Sequence, residues 1–325
     1  MVAFGIIADT LTGVGLTNGI LIGCLLVTMY TFIGGMWSVS VTDFMQVIFI
    51  LAGLVAATLE IFSIVCFREV FANAPDGFFR LYPDPQLHHS LNYVAAWITI
   101  GLGSVAGQDI FQRVMASRSE KVAARASFIS AFMYISVAMI PLLLVLAART
   151  LAPDLLNPGQ DSQMIIPNLV ARYSSPLVQI LLFGALLSAI LSTASSALLV
   201  PSAIFGENII RPRLKKVTDR QLLWISRFSV LVVSAIALIM ALRRGNIYEL
   251  VGEAASVGLV SLFVPLTAGL FWKKATTKGA LAAIIAGTAV WLIFLIINTQ
   301  IEPIIFGLGA SITGMVAGSI LSKRK

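Results

Sequence analysis

The chain has 325 residues, of which 58% are hydrophobic and 11% are charged, and its mean hydropathy is +0.95. A water-soluble domain of this length could not cover so much apolar surface, so the composition excludes an ordinary soluble protein. The formal net charge of +7 is carried mainly by short connections between apolar stretches, which argues against a nucleic-acid partner.

Nine apolar stretches follow one another along the chain, and each is long enough to cross about 30 Å of hydrocarbon as a helix. They are continuously apolar and lack the period-two alternation of barrel strands, so helices are indicated. The sequence therefore predicts an all-α polytopic membrane protein, with residues 1–325 forming a single transmembrane domain in the lipid bilayer. The predicted spans are approximately 16–34, 43–65, 92–109, 126–150, 177–200, 223–242, 248–271, 279–298 and 303–321.

The segment before the first span, "MVAFGIIADTLTG", is too short to cross a membrane. It lacks the basic region of a signal peptide and is typical of the end of a helix that begins upstream. We therefore expect the chain to be incomplete at its N-terminus.

The basic residues are distributed asymmetrically between the two sets of connections that alternate along the chain. One set holds most of the 22 Lys and Arg residues, in 113–125, 211–227, 273–278 and 323–325. The opposite set holds Arg68, Arg80, Arg149, Arg172, Arg243 and Arg244. Because basic connections remain inside, the C-terminus is predicted to be cytoplasmic, and the protein integral to the plasma membrane.

The third predicted span contains "GLGSVAG", with three glycines between Gly101 and Gly107. Glycine weakens a helix and frees backbone groups that can bind a ligand. Small residues equally allow close packing of membrane helices. The residues alone favour neither explanation.

The fifth predicted span contains "SAILSTASSALL", residues 188–199, with five hydroxyl side chains and no charge. On a helix, Ala189, Ser192 and Thr193 lie on one face, at i, i+3 and i+4. Two hydroxyls and a carbonyl are suitable ligands for a hard cation such as Na⁺, and neutral ligands avoid the cost of a carboxylate at mid-membrane. The alternative is that the hydroxyls bond to carbonyls one turn earlier and assist packing.

Asp43 stands where the chain enters the second predicted span, in "VTDFMQ". It has two open interpretations. A carboxylate in the first turn is ordinary at a helix start, where it stabilises the free amides. Alternatively, Asp43 contributes to a site in the membrane.

Three stretches in order resemble the sodium/solute symporter family: "YTFIGGMWSVSVTDFMQ", "GQDIFQRVMASRSEK" and "SAILSTASSALL". The resemblance implies a five-plus-five inverted-repeat transporter fold with broken first and sixth core helices. The first seven predicted spans would then correspond to core helices four to ten, and the last two to C-terminal additions. Core helices one and two, and most of three, would be absent.

The resemblance also assigns roles to residues. It implies a Na⁺ site at Ala189, Ser192 and Thr193, completed by carbonyls of core helix one, and a break in the third span beside the solute. It implies a candidate second cation site, for Na⁺ or a proton, at Asp43, Ser195 and Ser196. The candidate solute-binding residues beside the break are Trp97, Thr99, Gly103 and Ser104.

The function predicted from these features is Na⁺-coupled symport of a small organic solute by alternating access, with Na⁺ as coupling ion and no obligate protein partner. The choline branch of the family has an aromatic residue at the position of Gly107, so choline is disfavoured. The alternatives are a non-transporting fragment of a symporter and a transporter-like sensory module. The sequence has no catalytic or nucleotide-binding motif in the right context, so we expect no enzymatic activity.

Overall fold

The structure is a computed structural model of the chain. It describes residues 1–82, 86–157, 159, 161–214, 218–243, 247–297 and 299–322. For residues 34–38, 108, 109, 112, 219 and 249, only the backbone is described. The described residues form helices joined by turns and contain no strand, as the sequence predicts.

The α-helices of the described chain are numbered in order. They are α1 Val2–Thr12, α2 Leu16–Ile64, α3 Phe67–Ala72, α4 Leu87–Gly103, α5 Gln108–Met115, α6 Glu120–Leu151, α7 Ile165–Tyr173, α8 Pro176–Ile204, α9 Asp219–Leu242, α10 Ile247–Val257, α11 Val264–Phe271, α12 Thr277–Ile297 and α13 Pro303–Ser322. A π-helical segment, Phe205–Ile210, continues α8, and another, Gly258–Phe263, joins α10 to α11.

Eight helical segments of the described chain are long and apolar enough to cross a membrane. They are Leu16–Ile33, Val39–Ile64, Glu120–Leu151, Pro176–Arg213, Arg220–Leu242, Leu250–Phe271, Thr277–Ile297 and Pro303–Ser322. They match eight of the nine predicted spans within about six residues, apart from Pro176–Arg213, which corresponds to the fifth predicted span and also includes the turns after α8.

The third predicted span, 92–109, is the exception because the helix does not continue through it. The 17-residue α4 ends at Gly103, a 3₁₀ turn follows at Ser104–Ala106, and α5 begins at Gln108. Gly107 between them is extended, with ψ of 121°. The break expected at the glycines is therefore present, and no single helix extends over 92–109.

The first two predicted spans lie in one helical element, α2, but they do not follow a single axis. The hydroxyl of Tyr30 contacts that of Thr42. Twelve residues of straight helix would separate these positions by about 18 Å, more than the two side chains can bridge. The backbone must therefore bend between them, so Leu16–Ile33 and Val39–Ile64 are two separate candidate spans.

The larger of two compact units comprises Met1–Phe78 and Ser117–Arg244, and it contains α1–α3 and α6–α9. One part of its core lies where Leu144 of α6 packs with Leu169 of α7 and Ile61 of α2. A second part lies between α2 and α8. This unit contains the predicted cation-binding residues.

The smaller unit comprises Phe79–Ala116 and Gly245–Lys325, and it contains α4, α5 and α10–α13. Ala95, Leu259 and Trp291 belong to its core. It contains the predicted solute-binding residues. The prediction of a single transporter domain stays a prediction.

Large apolar side chains cover much of the surface of the described helices. On α6, Phe128, Phe132 and Ile135 are each at least 72% exposed. Such a surface would be unstable in water but suits hydrocarbon, where polar backbone groups must instead be satisfied within helices. The exposed surface therefore agrees with the hydropathy of the sequence.

Candidate cation site between α2 and α8

The hydroxyl-rich segment lies within α8, which packs along α2 in the larger unit. Gly53 of α2 allows this contact. A Cβ at that position would lie 2.6 Å from the carbonyl oxygen of Leu181 and 2.7 Å from the Cβ of Ala185. The two backbones therefore approach closely, which brings short polar side chains of α8 within reach of α2.

The Ser192 hydroxyl donates a hydrogen bond of 2.6 Å to Oδ1 of Asp43. Both side chains are half-buried. Helical backbone precedes Asp43 without interruption from Leu16, so this carboxylate does not begin a helix. The hydrogen bond joins a residue of the first predicted cation site to the carboxylate of the second.

The other hydroxyls of α8 differ in their surroundings. Ser195 is fully buried and donates a 2.9 Å hydrogen bond to the carbonyl oxygen of Ser192, so the back-bonding alternative holds for that residue. Ser196 is also buried, whereas Thr193 is exposed and Ala189 is half-buried. The described hydrogen bond to Asp43 thus comes from Ser192, one turn before the predicted partners Ser195 and Ser196.

The arrangement has the chemistry of a site for a hard monovalent cation. Ser192 uses its proton in the bond to Asp43, so the lone pairs of its oxygen stay available to a cation. The described residues contain no group of three or more His, Cys, Asp or Glu that could hold a metal. A cation would therefore depend on one carboxylate with hydroxyl and carbonyl oxygens, which are hard ligands.

Gln46, one turn after Asp43 on α2, is a candidate that the sequence analysis missed. Its Oε1 is buried and has no hydrogen-bond partner among the described residues. Asp43 lies against Ser192 and Gly53 lies against Leu181 and Ala185, so α2 and α8 are antiparallel and Gln46 is near the level of Ala189. The spacing of three residues from Asp43 was the available signal, because it puts both side chains on one helix face.

The predicted solute-binding residues lie around the end of α4 in the smaller unit. Thr99 and Ser104 each donate a 2.6 Å hydrogen bond to the carbonyl oxygen four residues earlier, at Ala95 and Ile100 respectively. Trp97 is 67% exposed.

Gly103 is buried because it packs against α10. A Cβ at this position would clash with the carbonyl oxygen of Ala255. Gly101 has open space beside it. Close packing and the helix break, posed as alternatives from the sequence, therefore both occur within the glycine segment.

The model of the sodium:solute symporter family matches residues 1–287. The chain therefore belongs to the sodium:solute symporter family. Its members are transport proteins, so the prediction that the chain is not an enzyme is confirmed. Family membership and the eight apolar segments together make it a multi-pass membrane protein.

Two relatives illustrate the similarity. The osmoregulated proline transporter OpuE of Bacillus subtilis is 31% identical over 99% of this chain and 66% of its own length. The human high affinity choline transporter 1 is 28% identical over 88% of this chain and 51% of its own length. The chain thus spans about half to two thirds of the length of these relatives.

A solved structure of a Na⁺-coupled sialic acid symporter, substrate-bound and outward-open, covers the whole chain with a TM-score of 0.81. The chain covers 70% of that symporter, and the sequences are 21% identical. This likeness concerns the fold and confirms the predicted class of transporter fold.

Proposed function

We propose that the protein containing this chain is a Na⁺-coupled symporter of a small organic solute. The family supports Na⁺ as the coupling ion, and the relatives named as proline and choline transporters support a small solute. The solute and the ion would move together by alternating access, as in other transporters built from inverted repeats.

The observation that carries the proposal is the 2.6 Å hydrogen bond from Ser192 to Asp43. It gives the neutral hydroxyl face of α8 a neighbouring negative charge that can offset the charge of a bound cation. A carboxylate among membrane helices is costly unless it has such a partner. We assign Ala189, Ser192 and Thr193 to one Na⁺ site and Asp43, Ser195 and Ser196 to a second cation site that shares the Asp43–Ser192 bond.

The solute would bind beside the break after α4. Trp97 and Thr99 lie before the break, and Gly103 and Ser104 lie at it. Gly107 lacks the aromatic ring that can face a quaternary ammonium group, so we expect proline or a similar small solute rather than choline.

The proposed setting is the plasma membrane, with the C-terminus in the cytoplasm. The excess of Lys and Arg in one alternating set of connections supports this orientation. The whole chain would act as one transporter domain that needs no obligate protein partner.

Uptake into vesicles that contain the purified protein tests the proposal. An inward Na⁺ gradient should concentrate labelled proline, and an equal K⁺ gradient should not. Ser192→Ala should sharply weaken the Na⁺ dependence. Ser202→Ala is the matched control, because Ser202 is buried on the same helix and bonds to the carbonyl of Leu198. Equal uptake with both gradients would overturn the coupling mechanism.

A further inference from the structure

An open cavity of about 730 Å³ lies at the start of α9, and its lining shares no residue with the candidate cation site. Its described lining includes one guanidinium group, that of Arg220, and no carboxylate. The two uncharged polar residues of the lining, Thr218 and Gln221, bond to each other in the N-terminal cap of α9. The lining residues are Leu214, Thr218, Arg220, Gln221, Trp224 and Ile225.

Arg227 provides a second guanidinium further along the same helix face. Arg220, Trp224 and Arg227 follow one another at i, i+4 and i+7. The Cζ of Arg227 lies 5.2 Å from the ring centroid of Phe32 and 5.4 Å from that of Trp224. Aromatic faces at this distance hold the cation in place.

The Arg227 side chain also has an unsatisfied polar group. Its Nε is buried and has no hydrogen-bond partner among the described residues. A buried donor without a partner is costly, and a charged side chain within a span usually has a functional partner. An anionic group near Arg227 would satisfy this requirement.

Glu207, which precedes the cavity residues in the chain, does not neutralise the charges of Arg220 and Arg227. Glu207 pairs with Arg211 at 2.5 Å. Of the residues that the structure describes, none forms an ion pair with Arg220 or Arg227. The connection between α8 and α9, residues 205–218, holds four Lys or Arg residues and one acidic residue, so it carries a surplus of positive charge.

Apolar side chains continue from the cavity along α9. Leu223 and Phe228 are 50% and 60% exposed. An occupant with an anionic head and hydrocarbon tails would therefore satisfy the arginines and cover this surface at the same time.

We propose that the cavity binds a phospholipid with an anionic headgroup. Its phosphate would lie between Arg220 and Arg227, with Trp224 at the membrane interface and the acyl chains along α9. Guanidinium groups bind phosphate through paired hydrogen bonds, and basic pockets between membrane helices bind anionic headgroups. The side of the membrane follows from the proposed orientation, but binding itself does not depend on it.

Native mass spectrometry of the purified full protein, titrated with phosphatidylglycerol or phosphatidylcholine, tests this proposal. We expect preferential binding of phosphatidylglycerol. Arg220→Gln and Arg227→Gln should each weaken that binding by roughly fivefold, the effect expected for one basic residue near an anionic lipid. Arg243→Gln, at the other end of the same helix, removes an equal charge and should leave binding unchanged.

Arg220→Lys and Arg227→Lys keep the positive charge. They serve as controls in case the Gln variants fail to fold. They should bind phosphatidylglycerol more weakly than the native protein while keeping its thermal stability. Equal lipid binding by the native protein and both Gln variants would overturn the site. Full displacement of phosphatidylglycerol by inorganic phosphate would overturn the lipid assignment in favour of a free oxyanion.

Discussion

At the scale of single residues, the hydrogen bond between Ser192 and Asp43 would couple the two proposed cation sites. Ser192 lies on the face shared with Ala189 and Thr193, and its proton is directed to the carboxylate. Any ion bound to the Ser192 oxygen therefore lies close to the negative charge of Asp43. Changing either residue should affect both ions, rather than one alone.

Asp43→Asn tests this coupling, because it keeps a hydrogen-bond acceptor for Ser192 and removes the charge. We expect Na⁺ to activate solute uptake with an affinity lower by roughly 10- to 100-fold, the usual cost of losing a group that supports a ligand. The charge moved per solute should also change. Normal expression with an unchanged Na⁺ activation curve and unchanged charge per solute would show that Asp43 only holds the two helices together.

Gln46→Met tests whether the buried amide oxygen of Gln46 faces the ion. A buried unpaired polar group costs about 1–3 kcal/mol, so without Na⁺ the variant should be at least as stable as the native protein. Because Na⁺ stabilises the folded state only through its ligands, the variant should gain less stability on adding Na⁺. Thermal unfolding with and without Na⁺ measures both effects. An undiminished Na⁺-dependent gain would exclude Gln46 from the site.

The hydroxyl face of α8 could be predicted from the spacing of Ser192 and Thr193, since helical periodicity is local. The partner of Asp43 could not be predicted from the sequence in this way. It depends on the register between α2 and α8, which close packing at Gly53 helps to fix. The buried oxygen of Gln46 escaped prediction for the same reason, because burial is decided by the neighbouring helix.

At the scale of helices, two glycines near the break at the end of α4 have different surroundings. Gly103 packs against the backbone of α10, whereas Gly101 has open space beside it. The glycine run predicted that the helix would be weak, but only tertiary contacts determine which glycine is indispensable. The apolar pattern similarly predicted two crossings in α2, whereas the continuous helical backbone between them was not expected.

Gly103→Ala and Gly101→Ala form a matched pair at this break. Gly103→Ala should destabilise the protein by about 1–3 kcal/mol, because the added Cβ overpacks the contact with Ala255. Gly101→Ala should stabilise α4 by about 0.5–1 kcal/mol, since alanine loses less entropy in a helix. Thermal unfolding in detergent compares the two. Equal effects would mean that the contact of α4 with α10 does not limit stability.

At the scale of the whole molecule, composition accounts for most of the architecture. Continuous apolar stretches specify helices that satisfy their own backbone groups, so eight of the nine spans could be placed from the sequence. The division into two compact units could not be placed, because each combines segments distant in the chain. The proposed orientation, with the C-terminus in the cytoplasm, rests only on the distribution of Lys and Arg among the connections.

Cysteine labelling in intact cells tests that orientation. After Cys24 and Cys66 are replaced with Ala, a membrane-impermeant maleimide should react with Asp76→Cys and should not reach Ser322→Cys. Permeabilised cells should label both. The physical reason is that basic connections are retained in the cytoplasm during insertion. If only Ser322→Cys were labelled in intact cells, the C-terminus would be outside and the proposed orientation would be wrong.

Equilibrium binding of radiolabelled Na⁺ to the purified protein tests the central claim most directly, because it needs no knowledge of the solute. The native protein should bind Na⁺ saturably. Ser192→Ala should weaken binding by about tenfold or more, as expected when a supporting group of a cation site is lost. Ser202→Ala, which removes a back-bonded hydroxyl from the same helix, should bind like the native protein. Equal Na⁺ affinity in all three proteins would contradict a cation site between α2 and α8.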